Sequence, residues 1–587
     1  MIRRRTLLGA PLLLAGCDWR TAATYDGDWV GASHERGHRL QALSAAGSAS
    51  GSAGGLSGGS PSGSAGDSAT GSASHPVAAS ASQGALATPV VIKRCSLAIV
   101  GGGVAGLAAA RSAMSAGVDD LRLFELEDDP GGNARGHLMG GLACPLGAHY
   151  LPLPGPDAHE VSELLHELGL LRSESGRTVA DERHLCHSPQ ERLWVDGQWV
   201  DGLLPPADKG STRERQYRQF AQLVADTSRR LRFTLPTHRA GWTPGHALLD
   251  NLSFANWLAA QGLDDTGLLW TLDYACRDDY GAGIHTVSAW AGLHYFASRH
   301  GFHAPGDETA EREAVFTWPE GNAWITRQLA APLGERLQSG SVVLRVSAGK
   351  HQVQIDLWNA HSKQHERWLA TQAVIALPLH VAARVVAEPS AALTTAAAQL
   401  SHAPWLVANL HLRTPLTDKP GAPPSWDNVL HTPGPLVKDE TEPAESPAAN
   451  PALGYVDAQH QSLRPTPGPT VLTAYWALGD GDRATVARQR QALLNDSWRN
   501  WSGRVVAELA RAHPDLASKT ARVDLMRYGH AMSIPMPGVR GSAALQALAQ
   551  VQAGRLQFAH SDLAGYSVFE EAYTLGVAAG RAAAGRR

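Results

Sequence analysis

The chain has 587 residues, 43% of them hydrophobic, and a formal net charge of -4 at neutral pH. That length exceeds one ordinary domain and supports a sizeable core, while the near balance of charge gives no electrostatic basis for a nucleic-acid partner. Five cysteines in so long a chain do not make a disulfide framework.

Arg3, Arg4 and Arg5 precede an apolar run too short to span a bilayer, so residues 1–17 read as a targeting segment. Arg4-Arg5-Thr6-Leu7-Leu8 resembles the twin-arginine export signal, and Leu14-Ala15-Gly16-Cys17 resembles the lipobox whose cysteine is lipidated after cleavage. These resemblances imply export to the periplasmic face of the inner membrane and a lipid anchor there. Asp18 resembles the retention residue of enteric lipoproteins. Residues 18–43 form an N-terminal arm whose Trp29, His34, Arg36 and His38 exceed what a tether needs; docking of these residues back on the catalytic body is one reading, and a solvated arm is the reading we take. Residues 44–89 are almost entirely Gly, Ser and Ala; they cannot offset ordering entropy and read as a flexible tether.

"CSLAIVGGG" is an apolar strand that runs into Gly101-x-Gly103-x-x-Gly106, after which "VAGLAAARSAMSAG" keeps helical spacing. The first two glycines permit a tight turn and close approach of a pyrophosphate to amides of the helix start, where Val104 and Ala105 lie; the third permits close helix packing. "DLRLFELE" supplies a second strand, with Glu125 near its end where a carboxylate accepts hydrogen bonds from ribose hydroxyls. Glu127 is the neighbouring candidate, and the register favours Glu125. An acid there argues against a 2′-phosphate. Six residues beyond Glu125 comes the pair Gly131-Gly132, in "ELEDDPGGNARG".

At these residues the chain resembles the flavin-containing amine oxidase superfamily, whose members carry "E(x5)GGR" after the second strand. The resemblance implies FAD, with the glycine pair against its diphosphate. Asn133 takes the slot of the family's arginine, and Arg135 follows two residues later. "GRLQFAHSDLAGYSVFEEAYTLGVAAGRAAAG" resembles the family's closing strand and helix beneath the flavin, with Asp562 as the acid at the ribityl or diphosphate region and amides after Gly565 at the helix start. "FTWPEGNAWITRQLAAPLGERLQSGSVVLRVSAG" resembles the block that passes the adenine, which makes Val343 the adenine contact in a strand Val342 to Val346. The implied fold class is α/β: a Rossmann-like FAD-binding domain, a parallel sheet flanked by helices, with a discontinuous α+β substrate domain. The FAD domain takes residues 93–156, 315–386 and 551–587; the substrate domain takes a mainly helical 157–314 and a mixed 387–550. Within the latter, "TDKPGAPPSWDNVLHTPGPLVKDETEPAESPAANP" reads as a Pro-rich surface excursion.

For chemistry, a flavin takes hydride from a carbon held against its ring, so the protein supplies orientation, proton handling and exclusion of water. His149 and Tyr150, in "CPLGAHYLPLPGP", fall where family members run along the flavin ring, and a structural histidine is an equal reading of His149. Tyr566 resembles one aromatic of the amine oxidase cage; an alternative alignment puts Val568 there, and packing beneath the flavin is an equal reading. Aligned on Pro537-Gly538, His530 falls where monoamine oxidases carry the cysteine bound to the flavin, and Ala531 at the second cage position; we read His530 as non-covalent. Trp405 stands near the register of the family's lysine, and Cys276 reads as a structural thiol. The resemblance implies an FAD-dependent oxidoreductase removing hydride from a small organic substrate, an amine among them, and passing electrons to an acceptor such as oxygen or a quinone. The alternatives are a carbon-carbon desaturase of a hydrophobic substrate and a non-catalytic FAD-binding envelope lipoprotein. No metal site is expected.

Overall fold

The computed structural model describes residues 25–37, 39, 91–306, 314–432, 450–462, 466–550 and 554–585. Arg4, Arg5, Cys17, Asp18 and His38, with the tether 44–89, lie outside the described residues. Among the described residues no helix is long and apolar enough to cross a membrane.

The apolar run around Ile99 forms strand β1 (Val91–Val100), which pairs in parallel with Leu121–Phe124 (β2) on one side and with the long strand Gln364–Ile375 on the other. Strands buried on both faces read as near-continuous apolar sequence, as Leu97 to Val100 do. The short strand Leu337–Gln338 extends the sheet beyond β2, and Leu556–Phe558 pairs in parallel with Ala373, Val374 and Ile375. The return strands Ser341–Ala348 and Val353–Asn359 form an antiparallel meander on the first half of Gln364–Ile375. Helix α1 (Val104–Ser115) is the crossover between β1 and β2, with Leu107, Ala108, Ala109 and Ala110 fully buried.

The last helix, Phe569–Ala584, lies against α1 at a distance only glycine allows. A Cβ on Gly576 would sit 2.2 Å from Ala105 O, and one on Gly580 2.3 Å from Ala109 O. Across the same contact Ser112 Oγ donates to Val577 O at 3.0 Å.

A second, seven-stranded sheet runs in the order Thr520–Ser533, His402–Leu412, Thr470–Ala477, Ala452–Asp457, Asp427–Leu430, Glu191–Val195, Gln198–Asp201. It packs on helices Thr212–Arg230, Thr266–Tyr280 and Ala289–Ala297 through Tyr280, Leu293 and Phe220, all fully buried. The segment 157–314 is mainly helical, and it also contributes Glu191–Val195 and Gln198–Asp201 as strands of this sheet. One expectation changes here. The Pro-rich segment is not wholly a surface excursion: Asp427–Leu430 pairs in parallel with Glu191–Val195, a partner so distant in sequence that no local pattern announces it. Residues 433–449 lie outside the described residues.

The N-terminal arm, read as solvated, is docked. Asp26 and Trp29 form parallel bridges to Arg522 and Leu525, with Val523 N–H donating to Asp26 O at 2.8 Å and Val30 N–H to Leu525 O at 2.8 Å. The arm covers the free edge of Thr520–Ser533, and the guanidinium of Arg527 lies 4.4 Å from the Trp29 ring. Backbone pairing and a cation-π contact together outweigh the ordering cost that the solvated reading assumed.

Replacing Gly576 by Val should destabilise the protein by at least about 3 kcal/mol, since the added carbon meets backbone that cannot yield. A drop in the urea midpoint checks this; an unchanged midpoint would show that the two helices separate freely.

Candidate active site

Gly101 holds φ +104°, where a Cβ would fall 2.3 Å from Ala376 O, and a Cβ on Gly106 would fall 1.8 Å from Gly101 O. The turn is therefore closed to larger residues at its first and third glycines. Helix α1 starts closing with Leu107 N–H on Gly103 O at 3.0 Å, so the N–H groups of Gly103, Val104, Ala105 and Gly106 have no acceptor within the helix. They present partial positive charge at the helix end. Opposite stand Gly131 (φ +129°) and Gly132 (φ +59°), the latter close enough that a Cβ on it would lie 3.2 Å from Gly103 Cα. A side chain at Gly131 would meet Ala134, Arg135 and Thr326, and one at Gly132 would fill this cradle. Its donors and its narrowness fit a diphosphate.

Glu125 sits at the rim, 8% exposed, and its Oε2 accepts from Gly102 N–H at 2.8 Å while Oε1 accepts from Glu127 N–H at 2.9 Å. Burial lifts its carboxyl above the ordinary range. Each oxygen keeps lone-pair capacity for a ribose hydroxyl. Arg135 folds back to the glycine pair, Nε donating to Gly132 O at 3.1 Å and Nη1 to Gly31 O of the arm at 3.3 Å. Val343 lies on the strand whose first residue, Ser341, donates its N–H to Glu125 O at 2.7 Å, so it flanks the same rim, largely buried against Phe124.

Beyond the cradle the turn at Gly321 (φ +62°) packs on Ala148 and His149, and Asn322 Nδ2 donates to Tyr150 O at 2.8 Å. This fixes an aromatic wall. The His149 ring stacks on Tyr475 with centroids 4.4 Å apart and lies 5.5 Å from Trp426, while Tyr150 lies 6.1 Å from Trp426. Burial holds His149 near pKa 4, a neutral imidazole at neutral pH. Tyr475 OH donates to Gly147 O at 3.1 Å and Tyr528 OH to Leu146 O at 2.7 Å, so the strand carrying His149 is pinned from the second sheet. Behind the wall, Tyr150 OH donates to Asp278 Oδ2 at 3.2 Å. Burial pushes Asp278 up to about 7, with the neighbouring Asp279 adding to the rise, and pushes Asp427 well up, with Asp278 adding to it. His149, Tyr150, Asp278 and Asp427 all keep some accessible surface although deep in the molecule, as groups lining an interior space do. Neither Asp278 nor Asp427 forms an ion pair among the described residues, and the nearby Arg299 is taken by Asp279 at 3.0 Å.

Two assigned roles change. Asp562 is fully buried and committed: Oδ2 accepts from Leu379 N–H at 2.8 Å, His402 Nε2 lies 3.1 Å away, and His560 Nδ1 lies 3.3 Å from Oδ1. It clamps the turn after Gln364–Ile375 and does not face the cradle. Tyr566 is likewise fully buried, its OH donating to Glu571 Oε1 at 3.0 Å amid Tyr280, Trp290 and His294, so it is core and not a cage wall. Gly565 (φ +82°) makes the turn, and Val568 caps the last helix. His530 stacks on His380 at 4.5 Å and is exposed on its other side. Burial of its packed side and the nearby Arg490 and Arg384 guanidinium groups lower its pKa below the ordinary imidazole range. His380, His402 and Asp562 bring ligand-type atoms within 4.8 Å of one another, but the carboxylate is already engaged as described. Cys276 is fully buried with its thiol pushed well up, as a structural thiol is. Trp405, largely buried in the lysine's register, has an indole N–H without an acceptor. Sequence reasoning missed Tyr475, Trp426, Asp278 and Asp427. The continuous apolar run in "TVLTAYWAL" is the signal of a buried strand, and it does not single out Tyr475.

If the cradle holds FAD, replacing Glu125 by Ala should weaken FAD binding at least about tenfold, the loss of charge-assisted bonds. Titration of the apoprotein followed by flavin fluorescence checks this. Unchanged affinity would remove Glu125 from the site.

Among curated protein sequences no relative matches the chain. Solved structures share its fold: putrescine oxidase bound to putrescine is 17% identical, with TM-score 0.59 over 84% of this chain and 99% of that one. Cyclohexylamine oxidase from Brevibacterium oxydans IH-35A is 16% identical, with TM-score 0.59 over 84% and 99%. A putative protoporphyrinogen oxidase from Exiguobacterium sp. 255-15 is 15% identical, with TM-score 0.55 over 84% and 99%. The family model described as flavin containing amine oxidoreductase matches residues 104–584, which run from the start of α1 to the end of the last helix. The chain therefore belongs to that family and is an FAD-dependent oxidoreductase.

Proposed function

We propose that the substrate is a cationic amine, oxidised at a carbon held against the aromatic wall of His149, Tyr150, Trp426 and Tyr475. FAD supplies the hydride acceptor when bound. The observation that carries this reading is the pair Asp278 and Asp427: two deep carboxyl groups, open to the interior space and without a cation partner. Burying a carboxylate unpaired is costly, and an ammonium group beside Tyr150 relieves that cost for Asp278. The ring faces around it attract cations as well. Neutral His149 offers a proton acceptor beside the same space. A hydrophobic substrate, as a desaturase uses, would leave both carboxyl groups without use. Trp405 and Ala531, in place of the family's lysine and second cage aromatic, favour that second reading. Putrescine oxidase and cyclohexylamine oxidase, by their names, act on amines and share this fold.

The sign of the pH dependence follows from the charge. Above about 7 Asp278 is ionised and attracts an ammonium; as pH falls through that value it takes up a proton and the attraction is lost. kcat/KM for an amine should therefore fall below neutral pH, and Asp278→Asn should raise KM at least about tenfold and flatten the profile between pH 6 and 8. Steady-state kinetics with a panel of mono- and diamines reads both. Flavin reduction by an unsaturated-lipid precursor, and by no amine, would overturn the proposal.

We propose further that the protein works on the periplasmic face of the inner membrane, exported through its Arg4-Arg5 signal and held by a lipid at Cys17. The support is the sequence pattern. Cys17→Ala should move the protein from the membrane fraction to the soluble periplasmic fraction; unchanged fractionation sinks the anchor.

A further inference from the structure

We propose that the arm residues Gly31–Arg36 are a further cofactor-binding segment: a strap that closes the adenosine end of the FAD site and slows loss of the nucleotide. Ser33, Arg36 and Gly31 all make polar contacts on the rim. Ser33 N–H donates to both oxygens of Glu127, at 3.0 and 3.1 Å, and Glu127 N–H in turn holds Glu125 Oε1 at 2.9 Å. Arg36 Nη1 donates to Leu126 O at 3.0 Å and Nη2 to Asp128 Oδ1 at 2.8 Å. Gly31 O accepts from Arg135 at 3.3 Å, the same guanidinium that holds Gly132 O. The strap is thus bonded to the residues that immediately follow Glu125 and, through Arg135, is linked to the glycine pair of the cradle.

Its seat is shaped for it. Gly31 lies at φ +87°, and a Cβ there would fall 2.5 Å from Met526 Sδ, so the chain passes the second sheet without a side chain before it turns onto the rim. Arg527 clamps the approach from both sides, its guanidinium over Trp29 and its Nε on His34 Nε2 at 2.8 Å. The strap bridges the two domains at the mouth of the cradle.

The arm precedes the family-matched residues 104–584 and is joined to β1 through a stretch, residues 44 to 89, that is mostly Gly, Ser and Ala. The strap is held in its seat by its contacts with Glu127, Leu126, Asp128 and Arg135, as an intramolecular ligand is. It can leave for FAD to enter and close afterwards. Linkage then requires that FAD and strap strengthen each other's binding by the same factor.

The test uses the full FAD-loaded chain. FAD release is followed by flavin fluorescence after dilution, for the native protein, for Arg36→Ala, and for a protein with a specific protease site placed between residues 44 and 89 and cut after loading. Arg36→Ala should release FAD about tenfold faster, the loss of two charge-assisted bonds. The cut protein should release FAD at a rate that rises with dilution toward a fast limit, because the severed strap then dissociates. If Arg36→Ala does not fold, the cut protein alone decides. Release rates within twofold of the native protein in the cut sample, at every dilution, overturn the proposal. FAD binding itself stands apart from this outcome, since all samples are yellow at the start.

Discussion

The arrangement depends on the contact between α1 and the last helix. Gly576 and Gly580 let the two backbones meet where a side chain would push them apart. With the last helix seated, the segment before it reaches the sheet, where Leu556–Phe558 pairs with Ala373 to Ile375. Asp562 then lands under the turn at Leu379 and beside His402, so one carboxylate ties the nucleotide domain to the second sheet. The cradle glycines, the turn against Gly101 and the helix floor are thus set by one steric fact. A carboxylate so used is not free to meet the cofactor, which is why the family-based role of Asp562 gives way to a structural one.

Charge is distributed in the interior by pairing wherever the chain can supply a partner. Asp273 pairs with Arg277, Asp279 with Arg299, and Arg239 with Glu160, all on the helical side. Histidines without a charged partner stay neutral, His294 being held near 3 by burial. Asp278 and Asp427, beside the aromatic wall, depart from this rule, as does the buried Glu570 at the start of the last helix. Desolvation tolerates such groups either protonated or beside a cation brought from outside. The chain leaves that choice to its surroundings.

The nucleotide half of this molecule is written locally. A strand, three glycines at fixed spacing, an Ala-rich helix and an acid at the next strand's end lie within residues 95–125, so each signal predicts its neighbour. The observed strand Ser341–Ala348 also contains the expected Val342 to Val346. The substrate side is not local. Trp426 reaches the wall because Asp427–Leu430 pairs with Glu191–Val195, and Tyr475 because Thr470–Ala477 pairs with His402–Leu412. No periodicity within any of these short strands specifies its partner. Tyr566 misled for a related reason: a Gly-Tyr pair before a helix looks the same in sequence whether the ring points to a cavity or into core. The arm misled because its partner edge belongs to residues almost five hundred positions later, as in the bond from Asp28 N–H to Asp524, 496 residues apart.

The span between Ser112 and Val577, joined by one hydrogen bond across 465 residues, has a kinetic meaning. Closing so long a loop costs entropy before any contact repays it, so the last helix is a late arrival on the folding path. Until it arrives, α1 exposes the small-residue face that Gly576 and Gly580 will cover, and the cradle has no floor. The second sheet and its helices meet no such delay from α1. The cradle is thus the part of the molecule on which the entropic cost of that closure falls.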